Sequence, residues 1–126
     1  MPRSFAALFF ALCAGCAAVT PPRSNDDLVQ QVTAVEIAFA KTMADRDFVA
    51  FQSHIANEAI FMAGPNPLRG RDAVIAHWKR FFASSSAPFS WKPDRVQVLD
   101  SGTLAKSSGP VVGLDGKASQ RFNSIW

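Results

Sequence analysis

Glu36 is the acidic side chain whose position best suits proton transfer in this sequence. It lies about 50° from the centre of an apolar stripe on a predicted helix, counted at about 100° per residue. The residues of the stripe are Leu28, Val32, Val35, Phe39 and Met43. A carboxylate beside an apolar surface can act as a general acid or base. The same position also suits a rim residue that pairs with a neighbouring lysine or arginine.

The two histidines, His54 and His77, are the other candidates for proton transfer. His77 lies roughly 100° from the centre of the apolar face of its predicted helix, which puts it at the edge of that face. His54 ends another predicted helix, where interaction with helix carbonyl groups is the simpler interpretation. Two histidines and no cysteine in the folded part give too few ligands for a zinc site. The sequence therefore predicts no metal and no cofactor.

A set of aromatic residues and serines forms the predicted ligand-binding surface. Its members are Trp78, Phe82, Trp91, Ser107, Phe122, Ser124 and Trp126. The rings would line an apolar pocket, and the two hydroxyls would offer weak polar contacts to a small apolar or amphipathic molecule. The alternative is that the same rings fill a core with no space left among them.

The first residues resemble a bacterial export signal, with a basic residue ahead of a short apolar run. The segment Leu-Cys-Ala-Gly-Cys that ends at Cys16 resembles a lipobox, although a cysteine stands where leucine is usual. We expect a signal peptide over residues 1–15, a tether over 16–23 and one domain over 24–126. We expect the protein to lie in the periplasm, anchored to the membrane by a lipid on Cys16. A plain secretory signal cleaved after Ala18 and an uncleaved membrane tether are the alternatives.

Length and charge limit the classes of function. A chain of 126 residues is long enough for one domain and too short for two independent cores. The net charge of +3 comes from 13 basic and 10 acidic residues that are dispersed along the chain. Because no run of lysine or arginine forms a basic patch, we do not expect nucleic acid as a partner.

Three helices are predicted ahead of a β-rich second half. Ser24 is placed to cap the first helix, which should run to about Ala44. Asp47 is placed to cap the second, with a stop at Asn57. A third helix should begin after Gly70 and carry the aromatic face that includes tryptophan and phenylalanine residues.

Four strand segments are predicted from apolar runs and from alternation. They are a buried strand over Glu58–Ala63, then Phe89–Asp100, Thr103–Val112 and Lys117–Trp126. Pro93 should mark a bulge that redirects Trp91, which by simple alternation would point away from the predicted buried face of the sheet.

The Asp115-Gly116 pair predicts a two-residue hairpin turn between the last two strands, with both residues at positive φ. Such a turn fixes the register of the two strands. It places Ser107 opposite Ser124 and Gly109 opposite Phe122.

The order of these elements resembles the nuclear transport factor 2-like superfamily. The segments that carry the resemblance are Leu68–Arg71 at a helix start, Trp78 within that helix, Ser107–Pro110 and Arg121–Trp126. Over about residues 26–126 the chain is most similar to the SnoaL-like or ketosteroid-isomerase-like bacterial proteins grouped as domain of unknown function 4440. The resemblance implies an α+β fold, in which N-terminal helices pack on a strongly bent antiparallel sheet to form a cone. Because the superfamily normally continues beyond this point into a final strand, that strand is expected to be missing.

Three functions follow from these observations. The first is an exported domain that binds a small apolar or amphipathic molecule in a cone-shaped pocket, without a need for catalysis. The second is a ketosteroid-isomerase-like or cyclase-like enzyme, for which the resemblance implies a proton-moving side chain such as Glu36 or His77. The chain lacks the tyrosine that such isomerases often use. The third is a homodimerising interaction module, with Ile37 opposite the apolar stripe and an open strand edge.

Overall fold

The computed structural model describes residues 24–126, in which N-terminal helices pack on an antiparallel sheet. The helices are α1 (Asn25–Ala44), α2 (Phe48–Ser53) and α3 (Arg71–Trp78), the last followed by a 3-10 turn over Lys79–Phe82. The strands are β1 (Ile60–Ala63), β2 (Asn66–Arg69), β3 (Phe89–Trp91), β4 (Arg95–Val98), β5 (Ala105–Gly113) and β6 (Ala118–Ile125). The predicted α+β class is confirmed.

Side chains at both ends of α1 fix its limits. The Ser24 hydroxyl accepts a hydrogen bond from the backbone N–H of Asp27 at 3.1 Å, as the sequence predicts. After α1 the chain turns at Arg46, which has a φ of 62°. The Arg46 guanidinium donates to the carbonyl groups of Met43 and Ser84, each at 3.1 Å. The end of α1 is therefore tied to the segment that follows α3.

The buried face of α1 differs from the predicted stripe. Phe39 and Met43 are buried as expected, but Val35 is 41% exposed and Glu36 is 0% exposed. The inclusion of Val35 in the stripe is therefore wrong. The reason is that side chains of the sheet donate hydrogen bonds to Glu36, so this polar residue can be buried. The spacing of apolar residues alone favours burial of Val35 instead.

The second helix is shorter than predicted. The Asp47 side chain caps it, accepting from the Ala50 N–H at 2.8 Å. The N–H groups of His54 and Ile55 then donate to carbonyls three residues back, at 3.1 and 3.2 Å. These tighter turns end α2 at Ser53, so the predicted stop at Asn57 is wrong.

The β1–β2 hairpin is only half covered. Within residues 24–126 it forms a two-stranded sheet of its own. Phe61 and Leu68 pack against the core, whereas Ile60 and Met62 are 53% and 74% exposed. The prediction of a buried strand at this position is therefore wrong, because only one face of the hairpin meets the helices.

Strand β5 is the centre of the larger sheet. It pairs antiparallel with β3 and β4 along one edge and with β6 along the other. The single strand predicted over Phe89–Asp100 is broken around Pro93, and Trp91 at the end of β3 is buried. The predicted role of Pro93 is therefore confirmed. Within the described chain, β6 pairs with β5 alone.

The predicted register of the β5–β6 hairpin is confirmed. Ser107 lies opposite Ser124, and Gly109 lies opposite Phe122. On the side of the sheet that meets the helices, Gly109 thus leaves space for the Phe122 ring.

The turn that joins these strands is different from the predicted one. The Gly113 N–H donates to the Lys117 carbonyl at 3.1 Å, which closes a three-residue loop. Gly116 has a φ of 74°, but Asp115 does not have a positive φ. The prediction of a two-residue turn is therefore wrong. The Asp-Gly pair also suits a three-residue loop, in which a type I turn is followed by a glycine in the left-handed conformation. A register shift between Val111 and Val112 compensates, so the pairing farther along the strands is unchanged.

The core lies between the helices and the inner face of the sheet. Its buried members are Phe39, Met43, Phe51, Ile55, Val74 and Trp91. Most of these side chains come from the helices, so the three helices close over the sheet. No helix in the described part of the chain is long and apolar enough to cross a membrane.

Candidate functional site

Glu36 lies at the centre of the inner face, where it is fully buried. Its Oε1 atom accepts a hydrogen bond from the Trp91 indole N–H at 2.8 Å. Its Oε2 atom accepts from the Ser107 hydroxyl at 2.5 Å and from the Trp126 indole N–H at 3.2 Å. The Trp126 indole also donates to Ser107 Oγ at 3.0 Å. We call these four residues the Glu36 cluster.

The Glu36 cluster joins one helix to the sheet. Trp91, Ser107 and Trp126 lie 55, 71 and 90 positions from Glu36 in sequence. They come from β3, from β5 and from the residue after β6. The backbone of Trp126 is held to that of Ala105 by two hydrogen bonds of 2.9 and 3.0 Å. The site therefore forms only when α1 docks on the assembled sheet.

No cation in the described part of the chain forms an ion pair with the Glu36 carboxylate. The ion pairs within residues 24–126 are Lys41–Asp45 and Arg121–Asp94, both on the surface. The interpretation of Glu36 as a rim residue paired with a lysine or arginine is therefore wrong. Burying a carboxylate costs much free energy unless hydrogen bonds replace its hydration. Here two indoles and one hydroxyl supply those hydrogen bonds.

The structure divides the predicted ligand-binding residues into groups. Trp91, Ser107 and Trp126 belong to the Glu36 cluster. Trp78 and Phe82 instead pack on Phe51, with ring centroids 5.1 and 5.2 Å apart.

The remaining two predicted residues lie on β6. Phe122 packs against the core, opposite Gly109. Ser124 lies opposite Ser107 but is not among the donors to Glu36. Only one of the two predicted serines therefore contacts the carboxylate.

Aromatic rings fill the space around the Glu36 cluster. Phe39 meets the Trp91 ring edge-on at 5.4 Å and the Trp126 ring at 6.1 Å. Trp126 is the half-buried donor, whereas Trp91 and Ser107 are buried. Two depressions on the described surface lie elsewhere, one on the outer face of the sheet and one along α1. Neither is lined by a predicted ligand-binding residue.

The histidines lie apart from the Glu36 cluster. The Arg80 guanidinium donates to His77 Nε2 at 2.8 Å on the exposed side of the helix. The predicted interaction of His54 with a helix carbonyl is confirmed, with Nδ1 3.0 Å from the Ala50 oxygen. Within residues 24–126, no group of three histidine, cysteine or acidic side chains is placed to hold a metal ion. The predicted lipidation site, Cys16, lies outside the described residues.

A polar cleft of about 490 Å³ on the outer face of the sheet was not predicted. Its donor side chains are Arg95, Gln97, Lys106, Ser108, Arg121 and Asn123. The available signal was the alternation of β4, β5 and β6, since the residues that line the cleft occupy alternate positions of each strand, opposite the apolar face.

Comparisons with known proteins agree with the fold. The family model for the SnoaL-like domain matches residues 37–121. No curated protein matches the chain. The matched range begins one residue after Glu36. It covers the rest of α1, the helices α2 and α3, and most of the sheet.

Several solved structures share the fold. A proposed dehydratase of the nuclear transport factor 2-like family from Streptomyces avermitilis is 17% identical, with a TM-score of 0.58 over 81% of this chain and 86% of that one. A proposed polyketide cyclase from Sinorhizobium meliloti is 15% identical, with a TM-score of 0.56 over 78% and 86%. An LEH-like epoxide hydrolase from M. tuberculosis is 13% identical, with a TM-score of 0.51 over 77% of this chain and 69% of that one. At these identities the likeness concerns the fold alone.

Proposed function

The chain belongs to the SnoaL-like domain family of the nuclear transport factor 2-like superfamily, and we propose that it binds a small, mainly apolar molecule that carries a hydrogen-bond donor. The donor would bind the Glu36 carboxylate, and the apolar body would take the place of the half-buried Trp126 indole. The observation that carries this proposal is that Glu36 is fully buried and that its partners within residues 24–126 are side-chain N–H and O–H groups.

The identity of these partners defines the chemistry of the ligand. An indole is a flat apolar body with one N–H donor, and two indoles satisfy Glu36 in the described chain. Trp126 is the more accessible of the two and makes the longer hydrogen bond to Glu36, at 3.2 Å against 2.8 Å. A ligand that replaces the Trp126 indole would keep Glu36 and Ser107 satisfied. Ligands without a donor would leave a buried acceptor unpaired.

The test uses 1-naphthol, an apolar ring system with one hydroxyl, and its methyl ether, which lacks the donor. We expect 1-naphthol to bind about tenfold more tightly than the ether in calorimetric titrations, since a hydrogen bond to a charged group contributes about 1.5–3 kcal/mol. Trp126→Ala should strengthen binding because the indole no longer has to be displaced.

Ser124→Ala is the matched control, because Ser124 lies beside Ser107 without contacting Glu36. Its affinity for 1-naphthol should equal that of the parent protein. Equal affinities for the alcohol and the ether, or the absence of binding in both the parent and Trp126→Ala proteins, would refute the proposal.

Proton transfer by Glu36 is the second candidate function. It is favoured by the placement of a carboxylate on the inner face within 2.5 Å of a serine hydroxyl. His77 is less suited, because it contacts Arg80 on the exposed side of its helix. Loss of turnover in Glu36→Gln, with turnover retained in His77→Ala, would favour this candidate over binding alone.

We also propose that the domain is exported and held at the membrane by a lipid on Cys16. The support is the sequence alone, in which the motif before Cys16 resembles a lipobox. We expect Cys16→Ala to abolish incorporation of labelled fatty acid and to move the protein out of the membrane fraction. Cys13→Ala is the matched control, since it changes the neighbouring cysteine and should leave both properties intact. Labelling that survives in Cys16→Ala would contradict the proposal.

A further inference from the structure

The outer face of the sheet carries a cleft whose floor is Ser108. Antiparallel pairing places Arg95 of β4 on one side of Ser108 and Asn123 of β6 on the other. Lys106 lies two positions along β5 and therefore projects to the same face. Ser108 is 8% exposed, so longer side chains surround a small one. This arrangement produces the cleft of about 490 Å³.

The charges that line the cleft are unequal. Arg95, Lys106 and Arg121 are cationic, and Asp94 is the acidic member. Arg121 donates to both carboxylate oxygens of Asp94, at 2.5 and 3.0 Å. Within residues 24–126, Arg95 and Lys106 are in no ion pair. Two positive charges therefore remain available at the cleft.

The Asp94–Arg121 pair forms one wall of the cleft. The hydrogen bonds from Arg121 hold the pKa of Asp94 below its usual range. A carboxyl with a lowered pKa stays ionised at neutral pH, and its pair is lost only as the pH falls through that lowered value. At neutral pH Asp94 therefore offsets the charge of Arg121, and Arg95 and Lys106 leave the cleft with two excess positive charges.

We propose that this cleft binds the phosphate group of a small molecule. Arginine, lysine, amide and hydroxyl donors converge on it from three strands, which suits a tetrahedral anion with several oxygens. A planar carboxylate has two oxygens and would leave donors unused. A second copy of the chain is disfavoured, because the excess positive charge would face itself across a two-fold axis. The cleft lies on the side of the sheet opposite Glu36, so the proposal does not depend on the proposed function.

The probe for this proposal is phenyl phosphate, titrated at constant ionic strength so that general screening does not change. We expect saturable binding to the parent protein in calorimetry. The double variant Arg95→Gln, Lys106→Gln should bind about tenfold or more weakly, because it loses two charge-assisted hydrogen bonds. Lys117→Gln is the matched control, since it removes one positive charge from the hairpin turn outside the cleft.

Four outcomes would overturn the proposal. They are no saturable binding to the parent protein, equal weakening in Lys117→Gln, benzoate binding as tight as that of phenyl phosphate, and a change of oligomeric state in the double variant. The first two would show that the cleft does not bind an anion specifically. The third would show that it does not select phosphate, and the fourth that the face contacts another copy of the chain. Circular dichroism of the double variant confirms that an observed loss of binding comes from a folded protein.

Discussion

Glu36→Ala is expected to lower the free energy of unfolding by about 3 kcal/mol. The substitution leaves the buried Trp91 indole and the Ser107 hydroxyl without the acceptor that each contacts, at 2.8 and 2.5 Å. It also opens a cavity between α1 and the sheet. The free energy recovered by no longer burying a carboxylate offsets part of this loss. Urea unfolding followed by tryptophan fluorescence measures the change.

Glu36→Gln is the control for this prediction. Glutamine has nearly the same volume and keeps one acceptor oxygen, so it should cost about 1–2 kcal/mol. Ser124→Ala, on the neighbouring strand, should change stability by no more than about 0.5 kcal/mol. If Glu36→Ala is as stable as Ser124→Ala, the buried acceptor has no structural role, and the claim that the Glu36 cluster stabilises the domain is contradicted.

Gly109→Ala is expected to destabilise the domain by about 3 kcal/mol or more, or to prevent folding. A Cβ atom at position 109 would overlap the Lys92 carbonyl oxygen and would lie 2.9 Å from the Phe122 ring. The first of these is a backbone atom in the break between β3 and β4, so no side-chain rotation can relieve the contact. Expression level and thermal unfolding measure the effect.

Gly113→Ala is the matched control, because Gly113 ends the same strand. Its Cβ would lie 3.3 Å from Asp115 Oδ1, which accepts from the Lys117 N–H at 3.0 Å. Because this carboxylate is exposed, it can shift by the few tenths of an ångström that the contact requires. We expect a change within about 1 kcal/mol. Equal stabilities for the two variants would show that β5 does not pass close to the break at Pro93.

The sequence was informative wherever local spacing controls the structure. Caps at Ser24 and Asp47 placed two helix starts correctly, because each depends on a contact only three residues away. The register of β5 and β6 was also correct, although the turn was not. A one-residue error at the turn is absorbed by the register shift at Val111, since the alternation of buried and exposed side chains keeps the strands aligned.

The site was less predictable because its members are distant in sequence. Glu36 was identified as a candidate, but its central position depends on donors 55 to 90 residues away. A helical projection assigns burial by hydrophobicity, and it therefore favoured Val35 over Glu36. In the outer cleft, the correct β5–β6 register already places Ser108 opposite Asn123. The position of Arg95 beside Ser108 depends on the pairing of β4 with β5, which no turn signal in the sequence predicted.

The indole N–H signals in an NMR spectrum of isotope-labelled protein test the central claim most directly. The chain contains three tryptophans, of which Trp91 and Trp126 donate to Glu36 and Trp78 stacks on Phe51. On Glu36→Gln substitution we predict that the Trp91 and Trp126 indole signals move while that of Trp78 remains nearly in place. Three unmoved signals in a folded variant would contradict the account.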